Sequence, residues 1–389
     1  MTTIRSHQGY FWTNIALALL LCTIAASALA NTTSTNTQFS PIPVSLIYPP
    51  LKPHGSADDA LATGQVVDSR YAMASHASKP WRIAFLFPHI KDPYWVDCAY
   101  GLIKEAQRLG VAIDIFPADG YNDLIGQLRK MDEAIAAKYD AIVISPISQT
   151  GNNASIAKAR ALGIPVFELA NDSTSDDLTI KITSSLKAMG VDTTEWVIRD
   201  AQKRGLKEIN LALLPGPADA GWVMGEVAGT RQSAQTSPVK INIIDIAYGD
   251  SDLIGQSQLT EQLLIKHGKK IDYILGCTDC APAAILPVKS AGLSKKIRIV
   301  AYGLTREMIG HIHRGEIVAA TDVKAVSQAR VSIDAAVNFL EGRIKKLPHT
   351  ILIKLGMVDR DNYATYDYSI STAPKGYTTI LSYTPKIAQ

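Results

Sequence analysis

The sequence predicts an α/β protein made of two doubly wound lobes, each centred on a parallel sheet. Three observations predict it. Short runs that are apolar throughout, such as Ile83-Ala84-Phe85-Leu86-Phe87 and Ile209 to Leu214, read as strands buried on both faces. Amphipathic windows of helical period lie between most of them, the rhythm of right-handed crossover units. The chain is also long enough, at 389 residues, for two cores rather than one.

The N-terminus runs from Met1 to His7 with Arg5 as its fixed charge, then through the apolar stretch Ile15 to Ala26 to Ala28-Leu29-Ala30. This reads as a secretory signal over residues 1–30, cleaved after Ala30, whose apolar core is too short for a comfortable membrane span. A lipoprotein reading of Cys22 is disfavoured by bulky Leu21 before it and by the lack of a long apolar run after it. Residues 31–80 are rich in Ser, Thr, Asn, Pro and Ala and are expected to be loosely ordered, with the folded body starting near Trp81.

The 39 basic and 36 acidic residues are spread along the chain for a net charge of +3, without the basic stripe that phosphate neutralisation needs. Nucleic acid is therefore excluded as an expected partner. After signal cleavage Cys98, Cys277 and Cys280 remain, an odd number that rules out a disulfide framework. Cys277-Thr278-Asp279-Cys280 has redox-motif spacing but lacks the preceding Trp of a thioredoxin site. It reads as two small residues at a strand end, open to a local disulfide. A zinc site would need a second ligand pair, which is not found.

From Trp81 the elements follow in order. Arg82 to Phe87 is a strand and Trp95 to Leu109 a helix closed by Gly110. Val111 to Phe116, Ala141 to Ser145, Pro165 to Leu169, Ile209 to Leu214, Ile241 to Ala247, Tyr273 to Gly276 and Ile297 to Tyr302 read as strands. Ala320-Thr321-Asp322 reads as a short crossing strand before a helix over Ser327 to Leu340. In such sheets the ligand sits beyond the carboxyl ends of the strands, so the loops leaving them are where function is sought.

The first loop, His89 to Trp95, puts Asp92 at a helix N-cap and Pro93 in its first turn. Two adjacent large aromatics, Tyr94 and Trp95, cannot both face the core there, so a ligand-facing role is expected beside plain surface cover. Tyr121 stands at the equivalent edge after the second of these strands, and Pro215 to Trp222 is a rigid turn that brings an indole to a helix start. Tyr302 and Gly303 end a late strand. A box of aromatic faces with hydroxyl and indole donors favours a small ligand with an apolar or cationic body and a polar tip. By the same argument Trp95→Ala is expected to cost ligand affinity with little effect on folding.

Catalytic alternatives find no support, since nucleophile-elbow, Walker and dinucleotide fingerprints are all missing from the sequence. His311 and His313 read with Arg314 and Gly315 as a basic helix end and its cap, and Asp176-Asp177 as a solvated turn. No enzyme, cofactor or metal is expected.

The run Ile83 to Pro88 followed by Lys91-Asp92-Pro93-Tyr94-Trp95 resembles the opening of type I periplasmic binding proteins, the ribose-binding group. With Tyr100-Gly101, Leu214-Pro215-Gly216-Pro217, Ala220-Gly221 and Asp245-Ile246-Ala247-x-Gly249-Asp250, the chain is similar over residues 81–385 to the TorT-like sensors of that family. The resemblance implies two lobes joined by a three-segment hinge: residues 81–184 with 324–352, and 185–323 with 353–385. It also implies a periplasmic location and a small ligand, trimethylamine N-oxide or a relative. The partner implied is a membrane histidine kinase of the TorS type that controls the trimethylamine N-oxide respiratory system. Tyr94, Trp95 and Tyr121 match aromatics of the family. Leu186 stands where the family has a Trp, and Tyr302-Gly303 where it has Phe-Tyr, with Trp222 or Tyr302 available to fill the space. The alternative is the solute receptor of an import system, most simply for a sugar, although Ala170-Asn171, Leu186 and Val323 occupy places where sugar-binding relatives carry charged and amide groups.

Overall fold

The structure is a computed structural model that describes residues 41–218 and 220–386; the export signal expected over residues 1–30 lies outside the described residues. The chain enters as β1 (Ile42–Tyr48), which buries Ile42, Val44 and Ile47. A short helix α1 (Ala57–Thr63) follows, started by a reciprocal capping box between Ser56 and Asp59. Next comes β2 (Gln65–Tyr71), antiparallel to β1. The expectation of a loosely ordered segment before Trp81 is thus corrected for its described part. Polar composition concealed the hairpin, because β2 exposes almost all of its side chains and β1 is buried only by pairing with a strand some 300 residues later.

The next elements are β3 (Arg82–Phe87), α2 (Pro93–Leu109), β4 (Ala112–Pro117), α3 (Leu124–Ala136), β5 (Ala141–Ile144), α4 (Asn153–Ala161), β6 (Val166–Leu169) and β7 (Ile180–Thr183). A second series runs α5 (Leu186–Lys203), β8 (Glu208–Gly216), α6 (Gly221–Thr236), β9 (Lys240–Tyr248), α7 (Leu253–His267), β10 (Tyr273–Gly276), α8 (Cys280–Ser290), β11 (Arg298–Ala301), α9 (Arg306–Arg314) and β12 (Ala319–Asp322). The chain then forms α10 (Ala325–Leu340), β13 (Thr350–Ile353), β14 (Gly356–Asp359) and β15 (Ser382–Tyr383).

Among the described residues the strands make two sheets, ordered β15-β4-β3-β5-β6-β7-β13-β1-β2 and β14-β12-β11-β10-β8-β9. Their interiors are parallel, and only β15, β1, β2 and β14 pair antiparallel, at the flanks. Each sheet is the centre of one lobe. The chain passes between them at Ser184-Ser185, at Val323-Lys324 and at Lys354-Leu355, where one sheet's strand ends and the other lobe's element begins. The end of the chain, expected in the second lobe, returns to the first sheet, where Ser382 and Tyr383 pair with Asp114 and Ile113 of β4.

Two helix contacts hold the frame rigid. Helix α10 is buried along most of its length and crosses α2 so closely that a Cβ at Gly101 would lie 2.7 Å from the Val326 carbonyl oxygen. In the second lobe a Cβ at Gly229 of α6 would lie 2.0 Å from the Lys187 carbonyl oxygen of α5, so this glycine is required for the close approach. Beneath the first crossing lies a buried ion cluster. Lys181 Nζ donates to Asp172 Oδ1 at 2.7 Å and to the Gly55 carbonyl oxygen at 3.2 Å, and lies 3.8 Å from Glu168 Oε1. Asp172 Oδ2 accepts from Ala57 N at 2.6 Å, so the same cluster anchors α1.

Candidate functional site

The carboxyl ends of the strands in both lobes face each other around a cavity of about 100 Å³. The first lobe supplies the loop after β3. Asp92 caps α2 by accepting from Trp95 N at 3.0 Å, which turns the next two rings back over the strand ends. Tyr94 and Trp95 meet edge to face, 5.0 Å between centroids, and Trp95 lies 4.8 Å from Phe87. Trp95 therefore lines the cavity and belongs to the core at once, being 2% exposed. The Tyr94 hydroxyl donates to Gln328 Oε1 at 3.3 Å, reaching the start of α10 beside the second crossing. Tyr121 follows β4, and its hydroxyl accepts from Asn171 Nδ2 at 3.2 Å. Its neighbour His89 meets it edge-on at 5.4 Å and is held down to about pKa 4, chiefly by burial.

The second lobe answers with α6. Trp222 and Glu226, one turn apart, both line the cavity, and the Trp222 ring stands 6.5 Å from Tyr121 across the cleft. The lobes touch beside this pair, since a Cβ at Gly221 would fall 2.8 Å from Gln149 Nε2 of the first lobe. Leu186 and Met189 of α5 form an apolar flank, and Thr278 and Asp279 line the cavity from the turn before α8. Cys277 and Cys280 are joined by a disulfide across this turn, while Cys98 is a buried free thiol. At the crossings Gln328 Nε2 donates to the Val323 carbonyl oxygen at 2.6 Å and to Ser184 Oγ at 3.2 Å, tying two connecting segments together.

Asp92, Tyr94, Trp95, Tyr121, Leu186 and Trp222, all singled out from sequence, are thus brought to one cavity. Tyr302 is not. It is fully buried in the second lobe with its hydroxyl 2.8 Å from Thr230 Oγ1, and Gly303 lines the cavity instead. The correction has a steric reason. A Cβ at Gly303 would stand 2.2 Å from Thr278 Oγ1, so a side chain there would displace Thr278, while Tyr302 packs into the second-lobe core. Sequence reasoning missed Glu226, Asp279, Asn171 and Gln328. In the sequence Asn171 stands out only by contrast with sugar binders. Glu226 is signalled by its place one turn after Trp222 in the first turns of the same helix.

Burial pushes Asp279 and Asp97 up to about 7. Each therefore holds a proton in the native state over a range where the unfolded chain has lost it. The stability these groups contribute is complete below the unfolded pKa and is lost as pH rises through about 7. His89 and His349, held at about 4 by burial, act in the opposite sense, but only below the ordinary histidine range. Thermal melts should therefore show a midpoint that falls by a few degrees from pH 6.5 to pH 8.5. Asp97→Asn should flatten that slope, and a midpoint rising over the window would show that these carboxyls are ionised in the fold.

Two parallel-sheet lobes, linked by crossings that frame an aromatic cavity at the strand ends, define a two-lobed small-molecule-binding protein. Residues 83–344 match the family described as periplasmic binding protein domain, and the chain belongs to that family, whose members bind solutes and are not enzymes. The chain is 28% identical over 293 residues to periplasmic protein TorT of Escherichia coli O157:H7, covering 75% of this chain and 82% of that protein. It is 22% identical to the ribose import binding protein RbsB of Bacillus subtilis, covering 70% and 85%. Among solved structures, an ABC transporter solute-binding protein from Bradyrhizobium sp. BTAi1 with bound bis-tris is similar at TM-score 0.76 and 32% identity, over 90% of this chain and all of that one. TorT in complex with the TorS sensor domain, in the presence of TMAO, is similar in fold at TM-score 0.68 and 23% identity, over 77% and 99%.

Proposed function

We propose that the chain is a periplasmic receptor that senses trimethylamine N-oxide or a related small methylated amine. In this reading it reports its lobe state to the sensor domain of a TorS-like membrane histidine kinase. The observation that carries the reading is the pair of rings Tyr121 and Trp222, which come from opposite lobes with centroids 6.5 Å apart and planes tilted by 52°, flanked by Tyr94 and Trp95. Methylammonium groups are held by aromatic faces, and closing two such faces on one ligand couples occupancy to lobe position. The cavity is far below the roughly 300–1,000 Å³ of drug-sized sites, which suits a solute of few heavy atoms better than a hexose. The 28% identity to TorT supports the same reading, and the family and the signal expected at the N-terminus both support the periplasm.

The test is calorimetric titration of the mature chain with trimethylamine N-oxide, betaine, choline and ribose. Saturable heat with one or more methylated compounds and none with ribose is expected. Heat with ribose alone would overturn the reading. A second reading, the solute receptor of an import system, is favoured by the 32% identity and 90% coverage shared with the Bradyrhizobium solute-binding protein. Ligand-dependent co-purification with a kinase sensor domain separates the two, since an import receptor would show none.

A further inference from the structure

Glu226 is the cavity residue least explained by packing. It is 2% exposed, its carboxyl makes no hydrogen bond with any described residue, and its Oε2 is sealed from solvent without a partner. One turn earlier on α6 the indole Nε1 of Trp222 is likewise unpartnered. A buried carboxyl left without a partner is costly to the fold, so its presence in a cavity points to a ligand that completes it. The rest of the lining adds further carboxyls and no base. Asp92 comes from the first lobe and Asp279 from the second, and among the described residues no Lys, Arg or His side chain lines the cavity.

We propose that this cavity selects a small organic cation, an alkylammonium whose charge is met by Glu226 with Asp92 and Asp279 flanking it, over neutral or anionic solutes of the same shape. The inference rests on the cavity being the receptor's ligand site and narrows that reading to methylated amines with a net positive charge, ahead of the neutral trimethylamine N-oxide. The groups facing Glu226 give it no cation of its own. Tyr302, just after β11, stands near it, and burial alone acts on its carboxyl, raising its pKa well above the usual range. The empty site therefore holds a proton on Glu226. When the cation enters, that proton leaves to solvent and the carboxylate and ammonium form a neutral pair, so affinity should rise with pH. An N-oxide would behave differently, since its oxygen would accept a hydrogen bond from the protonated carboxyl and no proton would be released.

The experiment compares choline with 3,3-dimethylbutan-1-ol, which replaces the charged nitrogen by carbon, by calorimetry of the mature chain in phosphate and in HEPES. Buffers of different ionisation heat count the protons exchanged. Choline is expected to bind at least about tenfold more tightly than the alcohol, with proton release, and Glu226→Gln to remove most of that preference and the proton release with it. Equal affinity for the two compounds, or tighter binding of trimethylamine N-oxide without proton release, would overturn the charge assignment and leave the receptor reading intact. Binding of ribose with no methylated compound bound would overturn the receptor reading itself. Should Glu226→Gln fail to fold, the proton count and the choline-to-alcohol ratio on the unmodified chain still decide.

Discussion

Trp95→Ala is expected to weaken the fold by about 3–5 kcal/mol as well as to impair ligand binding. The sequence alone suggests a cleft aromatic whose loss folding would tolerate, and the structure corrects this. Trp95 is 2% exposed, with its ring 4.8 Å from Phe87 and 5.0 Å from Tyr94, so truncation opens a hole in the first-lobe core as well as in the cavity wall. Urea unfolding of Trp95→Ala and Trp95→Phe separates the two losses. Phenylalanine should restore most of the stability but only part of the affinity, because it keeps the packed volume and gives a weaker ring face. An alanine variant as stable as the parent would mean that the indole is not part of the core.

Lys181→Met should cost about 3–5 kcal/mol, since it leaves buried carboxylates without their cation. Lys181 is fully buried, as is Glu168, and Asp172 is nearly so. The ammonium also reaches the Gly55 carbonyl, and Asp172 holds Ala57 N, so the substitution should loosen α1 along with the cluster. Helix α1 matters beyond its own length because Asp58 accepts from Lys187 N at 3.0 Å at the start of α5, directly after a crossing. Hydrogen exchange should therefore quicken over residues 55–63 and 185–190 together. A loss below about 1 kcal/mol would mean that water replaces the ammonium.

How far the sequence discloses this molecule can be judged residue by residue. Runs apolar throughout, such as 83–87 and Tyr273–Gly276, match observed strands because burial on both faces leaves no other pattern. Strands β7, β13 and β14 escape notice: each is four residues long, and β7 carries Lys181 inward, where a charged residue argues against a core until its carboxylate partners are seen. The hairpin β1–β2 is hidden in the same way, its burial depending on β13 far along the chain. At the cavity, loops after strands reveal Asp92, Tyr94, Trp95, Tyr121 and Trp222, since large aromatics at helix starts are visible without knowing the packing. The direction of Tyr302 is invisible from sequence because it is decided by packing in the second-lobe core, and the tight contact between Gly303 and Thr278 joins chain positions that lie 25 apart.

The central claim is that a small methylated amine is held between rings from opposite lobes. Its most direct test is titration of Tyr121→Ala and Trp222→Ala beside the unmodified chain with trimethylamine N-oxide and with choline. The account predicts saturable binding of at least one compound to the unmodified chain and a loss of about tenfold or more in each variant, from either side of the cleft. Undiminished binding in both variants, or no binding of either compound to the unmodified chain, would contradict it.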